Sequence, residues 1–176
     1  MAAAPAGPQA FDLVADAGAA PTAPPVTAVA KPPAPPTRQI VFSDPVRGFP
    51  VNSRFGTRKL AGEAKPRAHK GIDIAAPKGT AVLSTAEGRV VRTGHEPGGY
   101  GSFIEIRHPN GMTSFYAHLS RIDVYSGMEV DAGARIGLVG STGYSTGPHL
   151  HFEIRRRGVQ VNPARVLGEA FQVAIR

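Results

Sequence analysis

From Gln39 onward, apolar and polar residues alternate in short runs separated by Gly- and Pro-containing turns, the period-two pattern of half-buried β-strands. The stretch TAVLSTAEGRVVRTG (80–94) predicts two short strands joined by a turn at 86–88. SFIEIRH (102–108) and MTSFYAH (112–118) flank Pro-Asn-Gly at 109–111. Asn and Gly tolerate the positive φ of a tight turn, so this pair reads as a hairpin. GMEVDAGARIGLVGSTG (127–143) reads as further short strands broken by glycines, and HLHFEIR (149–155) as another strand; NPARVLGEAF (162–171) predicts one short helix. Short, regularly spaced strands predict a mainly β fold, a compact antiparallel β-sandwich or open barrel, rather than alternating βαβ units.

Ahead of that pattern lies a segment of another kind. Residues 1–38 contain 13 Ala and 9 Pro and few large side chains to bury. Such a segment is expected to form an extended, disordered tether, with the folded domain at 39–176. Its apolar punctuation, FDLV (11–14), reads as a docking motif or as nothing. The tether is neutral, so the net charge of +7 belongs to the folded part, with 18 basic and 11 acidic residues. A basic domain favours polyanionic partners, yet no aromatic-interleaved basic motif, helix-turn-helix pattern or zinc-finger spacing supports nucleic acid. With no cysteine in the chain, disulfides and thiolate metal sites are excluded. No apolar run approaches a membrane span, and the first residues lack the regions of a signal peptide. The chain therefore reads as a piece of a longer exported protein, with an anchor or regulatory segment expected upstream.

Side chains alternate faces along a strand, which puts His149, His151 and Glu153 on one face and the apolar trio Leu150, Phe152 and Ile154 on the other. Core histidines do not come as a polar trio, so the face is expected to look onto solvent or a groove. HKGIDIAAP (69–77), read as extended, places His69, Gly71 and Asp73 together, with Gly71 leaving space for an ion or a neighbouring strand. Alone, His69 and Asp73 would be a surface ion pair. With His151 they make two imidazoles and one carboxylate, a set that suits one Zn²⁺ with a fourth position left to water. In FYAHLS (115–120), Tyr116 and His118 share a face by alternation. Beside a metal, His118 is expected to donate a hydrogen bond to a developing oxyanion.

FGTR, HKGIDIAAP, GTAV, EGRVV, GYGSFIEIRHPNGM, YAHLS, GLVGSTGYSTGPHLHFEIR and VNPARVL together resemble the lysostaphin/LytM-type zinc metallopeptidases, in order and in spacing, from about Phe49 to Leu167. The resemblance implies a compact antiparallel β-structure with a groove over the metal. It also implies hydrolysis of peptide bonds in peptidoglycan stem peptides or cross-links, by a monomer in the periplasm or cell envelope. Carried over position by position, it makes His69, Asp73 and His151 the zinc ligands, His149 the catalytic base and His118 its partner at the reacting oxygen. Some relatives of this kind have lost ligands and only activate other wall hydrolases, so a non-catalytic or autoinhibited module that binds the wall is the alternative.

The remaining candidates have simpler readings. His108 shares the apolar parity of Ile104 and Ile106 and reads as a structural histidine; His95 reads as a solvated loop residue. RRRG (155–158) reads as a solvated hairpin end. Glu153 is equally suited to orienting a ligand imidazole and to pairing with an Arg. Tyr144, Ser145 and Thr146 read as turn residues beside the substrate. Phe55 and Arg58 are expected to buttress the groove.

Overall fold

The computed structural model describes residues 34–58 and 67–175, without the side chains of Arg58 and Arg67. Residues 1–33, including FDLV, lie outside the described residues. In chain order the strands are β1 (Thr37–Val41), β2 (Val51–Ser53), β3 (Gly56–Arg58), β4 (Arg67–His69), β5 (Ile72–Ala75), β6 (Ala81–Leu83), β7 (Gly88–Glu96) and β8 (Gly101–Arg107). They continue with β9 (Met112–Leu119), β10 (Arg121–Ile122), β11 (Glu129–Val130), β12 (Arg135–Leu138), β13 (His149–Arg156), β14 (Val159–Val161) and β15 (Ala170–Ala174). The main sheet runs β11-β7-β8-β9-β13-β5-β2, with β14 added beside β13, and β10-β12-β6 form a second, smaller sheet. Every ladder in both sheets is antiparallel.

The main core forms on one face of the large sheet. Leu150, Phe152 and Ile154 of β13 join Ile104 and Ile106 of β8, Ile72 and Ile74 of β5, and Val82, Ile136 and Val139 from the small sheet and its end. Burying each such side chain contributes roughly 1.5–3 kcal/mol. The opposite face of β13 is left for the polar residues of the same strand. The Pro-Asn-Gly hairpin forms as β8–β9, with Gly111 at φ 78° and the Asn110 side chain accepting from the Met112 N–H.

Two local expectations are corrected. The strands of 80–94 do not pair with each other: β6 joins β12, and β7 joins β8 and β11. The link between them is no exposed turn, because Ser84, Thr85 and Ala86 are fully buried and carry the chain from one sheet to the other. The C-terminal helix is reduced to one 3₁₀ turn, Pro163–Arg165, capped by Asn162. Gly168, at φ 84°, breaks it, and the chain continues as β15 because β1 offers an edge to pair with. That tertiary partner outweighs local helix propensity.

His108 is the structural residue its parity indicated. It is 2% exposed, its Nδ1–H donates to the Glu87 carbonyl, and its Nε2 lies 2.7 Å from Ser114 Oγ. Burial pushes its pKa down from 6.5 to about 4. The unfolded chain therefore takes up this proton first as pH falls. The stability His108 contributes is complete above its unfolded pKa and is lost between that value and the folded one, on the order of 3 kcal/mol in all. In denaturant titrations from pH 7.5 to 4.5, His108→Gln is expected to be less stable than the parent at the upper end, with the gap closing on acidification. A gap that stays constant would remove His108 as the titrating group.

Candidate functional site

His151 lies in β13 opposite Asp73 of β5 on one side and Ala117 of β9 on the other. This register joins residues 78 positions apart: His151 Nδ1 is 2.8 Å from Asp73 Oδ1. His69 comes from the end of β4, in a different sheet, and its Nε2 lies 3.0 Å from Asp73 Oδ1 and 3.2 Å from His151 Nδ1. The segment HKGIDIAAP is thus two strands, not one, and the chain turns between them at 70–71. Gly71 serves the neighbouring strand, since a Cβ there would sit 2.2 Å from the Phe152 carbonyl oxygen.

The outer nitrogens of both imidazoles are occupied. His69 Nδ1–H donates to the Arg54 carbonyl at 2.8 Å, and His151 Nε2 lies 3.2 Å from Glu153 Oε1. The inner atoms, His69 Nε2, Asp73 Oδ1 and His151 Nδ1, converge within reach of a single ion. Two imidazole nitrogens and one carboxylate oxygen fit a divalent cation of zinc's preferences. Burial opposes charge on Asp73, but hydrogen bonds from His151 and then His69 outweigh it and hold the carboxyl below the usual range. Burial likewise opposes charge on His151, and its bonds to Asp73 and then Glu153 raise its pKa regardless. Glu153 is held down to about 2 against its burial, by hydrogen bonds from His151, Tyr100 and Arg155.

His149, at the start of β13, faces the same cluster. Its Nδ1–H donates to the Gly147 carbonyl at 2.8 Å, with Ser145 Oγ at 3.3 Å, and its Nε2 lies 3.9 Å from Asp73 Oδ1. His118 arrives by a route that alternation does not give. Ser102 pairs with Leu119 and Ile104 with Tyr116, three steps along β9 against two along β8. The extra residue is a bulge, and His118 there has φ 61°. The bulge turns His118 into the groove, while Tyr116 points into the core and accepts the Thr85 N–H. The expectation that these two share a face is therefore corrected. A positive φ at a non-glycine residue costs of order 1–3 kcal/mol and is held only where the surroundings demand it. Here the His118 N–H donates to the Tyr100 carbonyl and the ring Nδ1–H to the Thr142 carbonyl, at 2.8 and 2.7 Å. Burial lowers the His118 pKa to about 4. The rings of His118 and His149 stand 4.7 Å apart.

These groups line a groove of about 890 Å³. Tyr100 with Gly98 and Gly99 forms one wall, and residues 144–148, including Tyr144, Ser145 and Thr146, form another. The two walls are joined by the Tyr144 N–H donating to the Gly99 carbonyl. His95 is not in a loop: it lies within β7 opposite Ser102, bonds Ser102 Oγ, stays exposed and does not line the groove. Phe55 packs on the main core and lines a separate cavity, and the Arg58 side chain lies outside the described residues. Arg155 is no solvated hairpin end. Its guanidinium lies 2.7 Å from Glu153 Oε2 and 4.3 Å from the Phe115 ring centroid, and the turn proper is Arg157–Gly158. Tyr100 was not singled out from the sequence; the only signal was an aromatic residue inside the Gly-rich turn GGYG.

Residues 67–163 match peptidase family M23. Over 116 residues the chain is 48% identical to the DD-carboxypeptidase/endopeptidase Mpg of Neisseria meningitidis serogroup B, a match covering 66% of this chain and 26% of that protein. Over 99 residues it is 50% identical to the murein hydrolase activator NlpD of Escherichia coli K12, covering 56% of this chain and 26% of that one. The chain thus spans about a quarter of the length of these relatives. The catalytic domain of the antimicrobial peptidase lysostaphin from Staphylococcus simulans aligns at TM-score 0.60 and 32% identity, over 66% of this chain and 90% of that one. The match takes in more than half of the sequence together with all five histidine and aspartate positions of the cluster, and the architecture is that of lysostaphin's catalytic domain, so the chain belongs to peptidase family M23.

Proposed function

We propose that this chain is a zinc-dependent endopeptidase that hydrolyses peptide bonds of peptidoglycan in the cell envelope. The observation that carries the reading is the convergence of His69 Nε2, Asp73 Oδ1 and His151 Nδ1 beneath a groove that also holds His149 and His118. The names of Mpg and NlpD, an endopeptidase and a murein hydrolase activator, support a wall substrate.

His69, Asp73 and His151 would hold the ion. Bound zinc supplies Lewis acidity toward a carbonyl and lowers the pKa of its water from about 15.7 to about 7. The remaining chemistry belongs to the chain. With Nδ1–H committed to the Gly147 carbonyl, neutral His149 carries its lone pair on Nε2, on the side of Asp73. It can take a proton from water there and return it to the leaving amine. His118 is held in the same tautomer by Thr142, and burial favours its neutral form. At rest its Nε2 is therefore an acceptor, and it donates to the oxyanion only after taking up a proton.

The test is digestion of purified sacculi by the chain alone, with released muropeptides identified by mass spectrometry, which also names the bond cleaved. Release by the parent is expected, and loss on chelation with recovery on zinc addition. The likeness to NlpD favours a second reading, an activator of another hydrolase. That reading would hold if no muropeptide appears until a separate wall hydrolase is added.

A further inference from the structure

We propose that Glu153 is a positioning residue that makes Nδ1 of His151 the metal-facing atom and thereby sets the zinc affinity of the site. This rests on the reading of His69, Asp73 and His151 as the zinc ligands.

A buried carboxylate is costly unless fully hydrogen-bonded. Glu153 is 0% exposed, and its surroundings are built to keep it ionised and still. Arg155 donates to Oε2 from Nε at 2.8 Å and approaches it with Nη2 at 2.7 Å; the Gln160 amide donates to the same oxygen at 3.3 Å. The Tyr100 hydroxyl donates to Oε1 at 2.8 Å. Arg155 is itself fixed over the Phe115 ring and 3.7 Å from Glu105. The carboxylate is thus anchored from β13, from β14 and from the turn before β8.

One direction remains, toward His151 Nε2 at 3.2 Å. Residues 151 and 153 face the same way in the strand, so this contact is set by the backbone. An ionised carboxylate only accepts, so Glu153 holds a proton on Nε2; Asp73 makes the same demand of Nδ1, and with Nε2–H retained by Glu153 it is Nδ1 that gives up its proton when an ion takes the place between His69 and Asp73. Nδ1 is the nitrogen beside Asp73 Oδ1 and His69 Nε2. For His69 the equivalent partner is the backbone carbonyl of Arg54, which no substitution removes, whereas Glu153 is a side chain that can be replaced. Partners of this kind typically contribute about 10- to 100-fold to metal affinity.

Glu153→Gln tests this at constant volume. The amide brings two donors into a pocket of donors, so its NH₂ must face Arg155 and Gln160 or else His151 and Tyr100. Glu153→Asp keeps the charge beside Arg155 but withdraws it from His151 by one methylene. In competition with a chromophoric chelator, both variants are expected to bind zinc about 10- to 100-fold more weakly than the parent. Circular dichroism establishes that the compared proteins are folded. In ¹H–¹⁵N spectra of the zinc-loaded parent, His151 is expected to show a slowly exchanging Nε2–H. Either folded variant binding zinc within twofold of the parent would overturn the proposal. So would a parent His151 protonated at Nδ1, a result that needs no variant to fold. A parent that binds no zinc would instead overturn the metal reading beneath it.

Discussion

His149→Ala is expected to slow muropeptide release by about 10²- to 10⁴-fold, the usual contribution of a positioned acid–base group, while zinc content stays at about one per chain. The substitution removes a ring whose Nε2 lies 3.9 Å from Asp73 Oδ1 and whose Nδ1–H is spent on the Gly147 carbonyl. It leaves the backbone of β13 as it is, because the residue 149 N–H still donates to Gly140 and the strand still pairs with β5. Turnover and metal content should therefore separate in this variant. The measurement pairs digestion of sacculi with elemental analysis of the same protein. Release at the parental rate would remove His149 from proton transfer, and loss of zinc would make it a ligand instead.

His151→Ala is expected to do the opposite, lowering zinc affinity by more than about 100-fold, beyond the range seen for partners of ligands, and taking turnover to background with it. Two ligand atoms would remain, and the Glu153 carboxylate would lose its imidazole partner. The effect also has a thermal readout. A ligand present at 100 times its dissociation constant stabilises the folded state by about 2.7 kcal/mol. Zinc should raise the melting temperature of the parent and leave His151→Ala where it was. A variant that melts as the parent does in zinc, and digests sacculi as fast, would end the assignment of His151 as a ligand and with it the zinc mechanism.

The legible part of the fold followed from local patterns that tertiary packing did not oppose. The β8–β9 hairpin is encoded by the Pro-Asn-Gly turn, and the two faces of β13 by its alternation of histidines with Leu150, Phe152 and Ile154. His69, Asp73 and His151 were legible as a set because their chemistry is shared, although they lie in three strands. The errors fall where a remote partner decided the outcome. The 162–171 segment reads as a helix until β1 is beside it, and 80–94 reads as a hairpin until each half finds a different sheet.

What the sequence by itself determined is the inventory and the strand faces: an all-β body, a polar face on 149–153, and two imidazoles with one carboxylate that suit a single ion. Side-chain alternation is a property of the backbone, so it survives any arrangement of the strands. What only the tertiary structure decided is how those groups meet. The register of β5 on β13 sets Asp73 against His151, and the bulge at His118 reverses the face that alternation predicts for it. The carbonyls of Arg54, Gly147 and Thr142 select the imidazole tautomers, and Tyr100, Arg155 and Gln160 gather on Glu153. Hydrogen bonds form between neighbours in space, and the neighbours of a strand residue are chosen by pairing across the sheet.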